Sequence, residues 1–387
     1  MTIMSTDYAL TTKSFSANGG VGEHFVTITS SGEGDFSQQL AEVEERYSNW
    51  MRTMGLDART ALFRRLFLSD AINQIGLAGK SPLMAETPDN PVAISLVQQP
   101  PLPGAKIALL AHHLGEVPVK HRLAPHHMLV ERGNLSHLWS TRLCCGARAA
   151  SAPEEVHTLD IFHSLIETLE RQGGTLEANC VRTWLYMKDV DVFYRGMVNS
   201  RRELFNHHGL TEDTHYIAST GIQGCCEHQF DLVAMDAYSI IGLKPSQTSY
   251  LNDFERLCAT KDYNVTFERG TRIAFADRAH HFISGTASID KYGNTVHLGD
   301  VMAQLDLALI NVEALLRSGE ASLSDMMYLI VYLRDASDQA RVRRALEERL
   351  PGLPLVVVEG AVCRPEWLIE VEGVAVAPHD DPGLPRY

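Results

Sequence analysis

Two glutamates, Glu370 and Glu372, interrupt an apolar stretch near the C-terminus that reads AVCRPEWLIEVEGVAV, residues 361–376. The pattern predicts a buried β-strand, and Glu370 and Glu372 share one face of it because strand side chains alternate. A buried carboxyl group without a partner is unstable as an anion, so it must be ion-paired or kept protonated. A carboxyl group that stays protonated near neutral pH is suited to general acid catalysis.

The composition limits the partners of this chain. Its 387 residues carry a net charge of -14 and no long basic run, which argues against nucleic acid or an anionic membrane as the partner. No apolar run reaches about 18 residues, so we expect no transmembrane helix. The N-terminal residues lack the pattern of a signal peptide. We therefore predict a cytoplasmic protein, and a small anionic substrate would require a local cluster of arginines.

The seven cysteines are an odd number in a large chain, which indicates reduced thiols. Cys144 is followed by Cys145, and Cys225 by Cys226, whereas zinc sites usually have two residues between paired cysteines. Four pairs of adjacent histidines have no ligand spacing either. We accordingly predict no metal and no cofactor.

Three segments repeat one pattern, an amphipathic helix followed by a turn with glycine and a strand that ends in aspartate. They are residues 34–70, 157–189 and 297–335. Closing strands recur at residues 91–114, 230–240 and 354–376. An opening strand at residues 280–289 has weaker counterparts at 23–32 and 126–135. We predict three fused units with boundaries at residues 1–117, 118–255 and 256–387.

Alignment of the closing strands separates the two glutamates. Ala108 and Ala234 occupy the position of Glu370 in the first and second units, and Leu110 and Asp236 occupy that of Glu372. A residue that the fold requires should be kept in every copy. We therefore predict that Glu370 acts at a single site and that Glu372 lies deeper or pairs with a basic residue.

Several motifs of the third unit together resemble the Rid (YjgF/UK114) family over about residues 263–377. They are FERGTRI, FISGTASID, HLGDVMAQ, VYLRD and LIEVEGVAV, which begin at residues 267, 282, 297, 331 and 368. The resemblance implies an α/β (α+β) unit, a β-sheet with two helices on one face, similar to chorismate mutase in architecture. Rid proteins form trimers with sites at the subunit interfaces. Three fused units would thus form a covalent pseudo-trimer in which one interface carries an active site. We expect the protein to be a monomer or homodimer.

A second resemblance lies in the middle of the chain. The stretch RTWLYMKDVDVFYRGMVNSRRELF (182–205), followed by THYIASTGIQG (214–224), resembles the chorismatases. This resemblance implies hydrolysis of the enolpyruvyl ether of chorismate to pyruvate plus a dihydroxycyclohexadienoate or 3-hydroxybenzoate. The cysteine of the last strand, here Cys363, accompanies the types that form hydroxybenzoate.

The candidate site follows from this chemistry. Cleavage of an enol ether requires a carboxylic acid that protonates the methylene carbon, and Glu370 fits that role, with Cys363 as a second catalytic candidate. Guanidinium groups suit the two carboxylates of chorismate, and hydroxyl groups and glycines suit close contacts. The predicted substrate-binding residues are Arg201, Tyr216, Thr220, Gly221, Arg269, Arg272, Ser284, Thr286, Arg334 and Arg364.

Two departures from these families keep other functions open. Simple Rid deaminases have an arginine about fifteen residues before the glutamate, where this chain has Leu355. Chorismatases follow the SGTASI strand with a Val-Gly-His run, where this chain has DKYGN (290–294). The alternatives are a Rid-type imine or enamine hydrolase and a Rid protein that binds a small molecule without turnover.

Overall fold

The computed structural model describes residues 10–17, 19–225, 227–258 and 265–387, without the side chains of residues 147 and 148. Cys226 and most of the N-terminal stretch considered above lie outside the described residues. The chain forms three separate sheets in sequence order, each with helices on one face. This mixed α+β architecture of three repeated units is the one that the sequence predicts.

The first unit contains a five-stranded sheet with strand order β1-β2-β5-β3-β4. Its elements are β1 (Leu10–Phe15), β2 (Glu23–Thr29), α1 (Phe36–Thr53), β3 (Ala61–Leu68), α2 (Ala71–Ala78), β4 (Ala93–Gln98) and β5 (Ile107–Leu114). Strands β3 and β4 are parallel, with α2 as the connection, and the other neighbours are antiparallel.

The second unit contains a six-stranded sheet with strand order β10-β9-β11-β8-β7-β6. Its elements are β6 (Val119–Ala124), β7 (His127–Arg132), β8 (Leu135–Leu143), α3 (Glu154–Arg171), α4 (Leu176–Asn179), β9 (Cys180–Met187), α5 (Val190–His207), β10 (Ala218–Gln223) and β11 (Val233–Ile241). The prediction that residues 126–135 form the opening strand of this unit is wrong. Those residues form β7, whereas β8 pairs with the closing strand β11.

The third unit contains a six-stranded sheet with strand order β12-β13-β14-β17-β15-β16. Its elements are β12 (Thr248–Tyr250), β13 (Gly270–Ala274), β14 (Arg278–Thr286), α6 (Val301–Ser318), β15 (Met326–Leu333), α7 (Gln339–Arg349), β16 (Leu355–Glu359) and β17 (Ile369–Pro378). This sheet begins before the predicted boundary at residue 256, because β12 pairs with β13.

The helix of the repeated pattern in each unit, α1, α3 and α6, has 18 residues. The carboxylates of Asp35 and Asp300 accept hydrogen bonds from backbone N–H groups in the first turns of α1 and α6, which lack partners within the helix. Helix α3 begins after Pro153, and glutamates in its first turn complement the positive end of the helix dipole. Each helix buries one stripe against its sheet, as the apolar periodicity predicts.

The register of the closing strands confirms the alignment made from the sequence. In each unit the residue at the Glu370 position lies opposite the second-last residue of the neighbouring strand: Glu370–Tyr332, Ala108–Phe67 and Ala234–Tyr186. The predicted strand is too long at its start, however, because residues 361–368 form a loop with a turn and β17 begins at Ile369. Side chains in this loop are not bound to the alternation of a strand.

The three units join around a common centre, which gives the predicted pseudo-trimer. Isolated β-bridges link neighbouring units at three equivalent places: Gln98–Cys225, Ile222–Val362 and Pro101–Val358. Aromatic side chains from the three sheets, such as Phe63, Trp139 and Tyr328, belong to one shared buried core. Within the described part of the chain, none of the helices is both long and apolar enough to cross a membrane.

Candidate active site

A cleft lies between the second and third units, where β10 faces β14 and the loop that leads into β17. The second unit contributes the β10 residues Ser219, Thr220 and Gly221, and Glu370 lies in the wall formed by the third unit. The empty volume of the cleft, with its open mouth included, is about 860 Å³. A concave cleft lined by apolar side chains and a few polar groups is the usual form of a site for a small molecule.

Glu370 is the only glutamate of β17 whose carboxyl group faces this cleft. It is buried, and the described residues provide no hydrogen-bond partner for its carboxyl group. Burial, and to a lesser extent the negative charge of Glu372, raises the pKa of Glu370 to about 8, although the positive charge of Arg182 opposes the rise. The group is therefore mostly a neutral acid at pH 7.

Gly285 leaves the space that the Glu370 carboxyl group occupies. A Cβ atom at this position would overlap Oε1 of Glu370 and would lie 3.1 Å from Cγ2 of Thr220. The backbone N–H of Gly285 also donates a hydrogen bond of 2.9 Å to Oγ1 of Thr220. A glycine here lets the acid and the strand from the neighbouring unit approach each other.

Glu372 lies on the same face of β17 but in a fully paired environment. Its carboxylate accepts hydrogen bonds from the side chains of Arg182 and Thr220 in the second unit and from Tyr332 in its own unit. The guanidinium group of Arg65 from the first unit lies 3.9 Å away. Glu372 thus connects three units, in agreement with its predicted pairing with a basic residue.

Asp236, at the Glu372 position of the second unit, has the same set of partners. Its carboxylate accepts hydrogen bonds from Ser95 of the first unit and Tyr186 of its own unit, and it pairs with Arg65 at 3.1 Å. The register places Ser95 at the position of Thr220, and Tyr186 at that of Tyr332. A network that occurs at two interfaces indicates a structural role for Glu372.

The second unit has lost the features that surround Glu370. Ala234 stands at the position of Glu370, and Arg142 stands at that of Gly285. The Arg142 side chain pairs with Glu227 at 3.2 Å. Ala234 has no carboxyl group that needs space beside residue 142, so a residue with a side chain can stand at this position. The cleft with Glu370 is thus unique among the described interfaces of the pseudo-trimer.

Three arginines give the cleft a positive wall, as predicted for Arg201, Arg269 and Arg364. The buried guanidinium group of Arg201 donates to Oγ1 of Thr266 at 3.2 Å and to Oγ of Ser219 at 3.4 Å, and no described carboxylate forms an ion pair with it. Burial lowers the pKa of Arg201, but an arginine stays charged in proteins. A buried cation whose described hydrogen-bond acceptors are neutral hydroxyl groups favours an anionic ligand.

The other two arginines are held by backbone carbonyl groups. Nε of Arg269 donates to the carbonyl oxygen of Cys258 at 3.2 Å. Nη1 of Arg364 donates to the carbonyl oxygen of Gly293 at 2.8 Å, and its guanidinium group lies 4.5 Å from the ring centroid of Trp367. These contacts fix the directions of both groups along the cleft.

Cys363 lines the cleft, and its surroundings disfavour the ionised thiolate. Burial, followed by the negative charge of Glu370, raises the pKa of the Cys363 thiol to about 12. Cys363 and Arg364 both reach the cleft because they lie in the loop before β17. The sulfur is therefore a neutral thiol and a poor nucleophile.

Five predicted substrate-binding residues lie outside the cleft lining: Tyr216, Arg272, Ser284, Thr286 and Arg334. Arg334 pairs with Asp191 of helix α5 at 2.9 Å and donates a hydrogen bond to the carbonyl group of Val362. It therefore connects the loop before β17 to helix α5. Arg272 donates to the carbonyl group of Gly319 at 3.1 Å.

Of the remaining three predicted residues, Tyr216 precedes β10, and Ser284 and Thr286 lie on β14. The backbone N–H of Tyr216 donates to the carboxylate of Glu268 at 2.9 Å. Oγ of Ser284 accepts from the N–H of Ser219 at 2.9 Å, and the hydroxyl group of Thr286 donates to the Ser284 carbonyl oxygen. Thr220 lines the cleft, but its hydroxyl group is bound to Arg182 and Glu372. The hydroxyl groups of Ser284 and Thr220 thus hold the interface together, whereas that of Thr286 bonds within β14.

Several residues that line the cleft are not among those predicted from the sequence. Phe267, Ile289 and Trp367 form an apolar wall, and Tyr194 of α5 lies opposite. Arg182, which anchors Glu372, was also missed. A charged residue in the apolar strand CVRTWLYM is the same signal that drew attention to the glutamates, and it could have identified Arg182.

The comparisons with known proteins agree with this geometry. Residues 272–377 match the family model Ribonuc_L-PSP, described as Endoribonuclease L-PSP. A chorismatase of Streptomyces rapamycinicus is 38% identical over 110 residues, which cover 26% of this chain and 32% of the relative. A 3-hydroxybenzoate synthase of Streptomyces hygroscopicus is 33% identical over 105 residues, which cover 24% of this chain and 31% of the relative. The aligned segments thus span about a third of each relative.

The fold as a whole is similar to that of a solved protein. The crystal structure of a chorismatase superposes with a TM-score of 0.64 at 17% sequence identity, and the match covers 95% of this chain and 99% of that one. At this identity the similarity concerns the fold alone. All three units, and not only the third, therefore have their counterparts in that structure.

Proposed function

Because the chain is a chorismatase-like member of the Rid superfamily, we propose that it cleaves the enolpyruvyl ether of chorismate or a close relative. The products are pyruvate and a hydroxybenzoate or a dihydroxycyclohexadienoate. The observation that carries this proposal is Glu370, a buried and unpaired carboxyl group with a pKa of about 8 in a cleft lined by three arginines. A neutral acid beside cationic groups suits protonation of a substrate that is an anion.

In this proposal the arginines bind the two carboxylates of the substrate. Among the described residues, the hydrogen-bond acceptors of the Arg201 guanidinium group are the hydroxyl groups of Thr266 and Ser219, so Arg201 is the first candidate for one carboxylate. Arg269 and Arg364 are candidates for the other, since both guanidinium groups line the cleft. The apolar wall formed by Phe267, Ile289 and Trp367 packs against the six-membered ring. Charge and shape together orient the enolpyruvyl group toward Glu370.

The reaction begins when the Glu370 carboxyl group donates its proton to the methylene carbon of the enol ether. The electrons of the carbon–carbon double bond form the new C–H bond, which leaves an oxocarbenium ion beside the Glu370 carboxylate. Water adds to this cation and returns a proton to the Glu370 carboxylate, which gives a hemiketal. The bond between the ether oxygen and the former enol carbon then breaks, the proton of the hemiketal hydroxyl group moves to the ring oxygen, and pyruvate and the dihydroxycyclohexadienoate are released. Loss of water from this diene gives the hydroxybenzoate.

Cys363 shapes the cleft in this proposal and does not attack the substrate. A thiol with a pKa of about 12 carries very little thiolate at neutral pH. Its sulfur lies near the acid, where it can contact the ring that forms hydroxybenzoate. The influence of the Cys363 side chain on the reaction is then seen in the ratio of hydroxybenzoate to dihydroxycyclohexadienoate among the products.

The rate of pyruvate release is expected to depend on the protonation of Glu370. The acid form acts, so kcat should be nearly constant between pH 5.5 and about pH 7 and should fall tenfold per pH unit above about pH 8. Pyruvate release at saturating chorismate, coupled to lactate dehydrogenase, measures this profile. A rate that keeps rising from pH 7 to pH 9.5 would show that the ionised form is the active one.

Replacement of Gly285 by alanine is expected to lower kcat by about 100-fold, because a methyl group would displace the Glu370 carboxyl group from its place. Gly76→Ala is the matched control, since a Cβ atom there meets no atom within 4 Å. Gly76→Ala should unfold near the temperature of the parent, and Gly285→Ala at a lower temperature but still cooperatively, because an extra methyl group in a packed interface costs about 1–3 kcal/mol. If Gly285→Ala retains the parent rate, Glu370 does not need the position described here.

The rival functions are separated by the choice of substrate. A Rid-type deaminase should release ammonia from 2-aminoacrylate and no pyruvate from chorismate. Leu355, at the place of the deaminase arginine, is buried on β16 and does not line the cleft, which weakens this reading. A binding protein should release neither product, although chorismate would still raise its unfolding temperature.

A further inference from the structure

A second group of chemically reactive side chains lies in the second unit, where the end of β8 meets the loop before β11. Sγ of Cys144 lies 3.8 Å from Nδ1 of His228, and the same nitrogen lies 3.2 Å from Oδ2 of Asp231. One ligand atom from each residue falls within 4.8 Å of the others. The three residues therefore converge on a single point through the sulfur, the ring nitrogen and the carboxylate.

These positions correspond to the active cleft of the third unit. The register places Cys144 at the position of Ala287. The loop before β11 makes the same turn as the loop before β17, because Asp231 N–H donates to the His228 carbonyl group as Trp367 N–H does to that of Arg364. Ala287, Arg364 and Trp367 all line the cleft that contains Glu370. The cluster thus occupies the counterpart of the active cleft in the second unit.

The distances in this cluster suit a tetrahedral metal ion. Zinc–sulfur and zinc–nitrogen bonds of about 2.3 and 2.05 Å at a tetrahedral angle separate the two ligand atoms by about 3.5 Å, and nitrogen and carboxylate oxygen ligands by about 3.3 Å. The observed separations are 3.8 and 3.2 Å. A small movement of the thiol would complete the geometry.

An ordinary ion pair between His228 and Asp231 leaves part of the cluster unexplained. The side chain of Asp231 is only 2% exposed, and its Oδ1 atom has no hydrogen-bond partner among the described residues. Unpaired buried carboxylate oxygens are rare, because the loss of hydration is not offset. An ion beside Cys144 that contacts both carboxylate oxygens would supply the missing partner of Oδ1.

We propose that Cys144, His228 and Asp231 bind a zinc ion, with the fourth coordination position open to solvent. Thiolate, imidazole and carboxylate are all zinc ligands. The spacing of residues in the sequence could not reveal this site, since His228 follows Cys144 by 84 positions and the ligands meet only through the sheet. The second unit, which has no counterpart of Glu370, thus uses the corresponding cleft for a metal.

The test is titration of the full chain, first treated with a chelator, with zinc chloride by isothermal calorimetry at pH 7.5. The parent should bind one zinc ion per chain at this site, and Cys144→Ser and Asp231→Asn should each weaken the binding at least tenfold. Cobalt(II) should give a near-ultraviolet thiolate charge-transfer band in the parent, and Cys144→Ser should lack it.

The matched control is Cys145→Ser, the adjacent cysteine, whose sulfur donates to Oδ2 of Asp160 at 3.1 Å instead. This variant should bind zinc as the parent does and should keep the cobalt band. The proposal is overturned if the parent binds no zinc, or if Cys144→Ser binds zinc with the same affinity as the parent. Circular dichroism of each variant before titration establishes that it is folded.

Discussion

The Glu370→Gln variant is expected to release pyruvate from chorismate about 10²–10⁴ times more slowly than the parent, which is the usual contribution of a general acid. Glutamine has nearly the same shape as the protonated carboxyl group that Glu370 carries at neutral pH, but it has no acidic proton to donate to carbon. Since Arg201 and Arg269 stay in place, KM should change little. The loss is therefore expected in kcat.

The matched control for this substitution is Glu366→Gln. Glu366 is exposed in the loop before β17, and its side chain does not line the cleft. This variant should keep the parent rate, so any loss in Glu370→Gln belongs to the position and not to the general removal of a carboxyl group. Parent-like turnover by Glu370→Gln would exclude Glu370 as the acid.

Replacement of Glu372 by glutamine is expected to lower the free energy of unfolding by about 3–5 kcal/mol, because removal of one partner leaves buried guanidinium charges uncompensated. Arg182 is the main group affected, since its Nη2 atom donates to the Glu372 carboxylate inside the interface of the units. Thr220 donates to Oε2 and Tyr332 to Oε1, so the single amide oxygen of glutamine can keep only one of these hydrogen bonds, and the upper part of this range is expected. Urea unfolding at pH 7 measures the change.

Glu370→Gln is the natural comparison, and its effect on stability should have the opposite sign. The folded chain holds the pKa of Glu370 at about 8, above the ordinary value of 4.5, so the contribution of Glu370 to stability is fully present below about pH 4.5 and is lost as the pH rises through 8. Glutamine removes this dependence. Glu370→Gln should thus be more stable than the parent at pH 9 and similar to it at pH 4.5. Equal losses of stability in the two variants would contradict the separate roles.

The repeat and the special position of Glu370 could be predicted from the sequence, because both depend on local patterns. Helix periodicity and strand alternation are properties of neighbouring residues, and they survive in all three units. The comparison of Glu370 with Ala108 and Ala234 required only alignment of three strands in the same chain. The opening strand of the second unit was assigned one strand too early, since its apolar residues resemble those of β7.

The polar partners could not be predicted, because they depend on contacts between distant units. Arg334 looked available for a substrate, but the fold brings Asp191 of helix α5 to it. Conversely, Arg182 and Asp236 are central to the interfaces and carry no signal beyond a charge in an apolar strand. The assignment of Cys363 to a strand also failed, since the Pro-containing stretch before β17 forms a turn.

The proposed function is tested most directly by incubation of the parent and Glu370→Gln with chorismate at pH 7, followed by mass spectrometry of the products. We predict pyruvate together with a hydroxybenzoate or a dihydroxycyclohexadienoate from the parent, in equal molar amounts, and almost none from Glu370→Gln. Unchanged chorismate in the parent reaction, or the same yield of pyruvate from both proteins, would contradict the assignment of Glu370 as the acid that opens the enol ether.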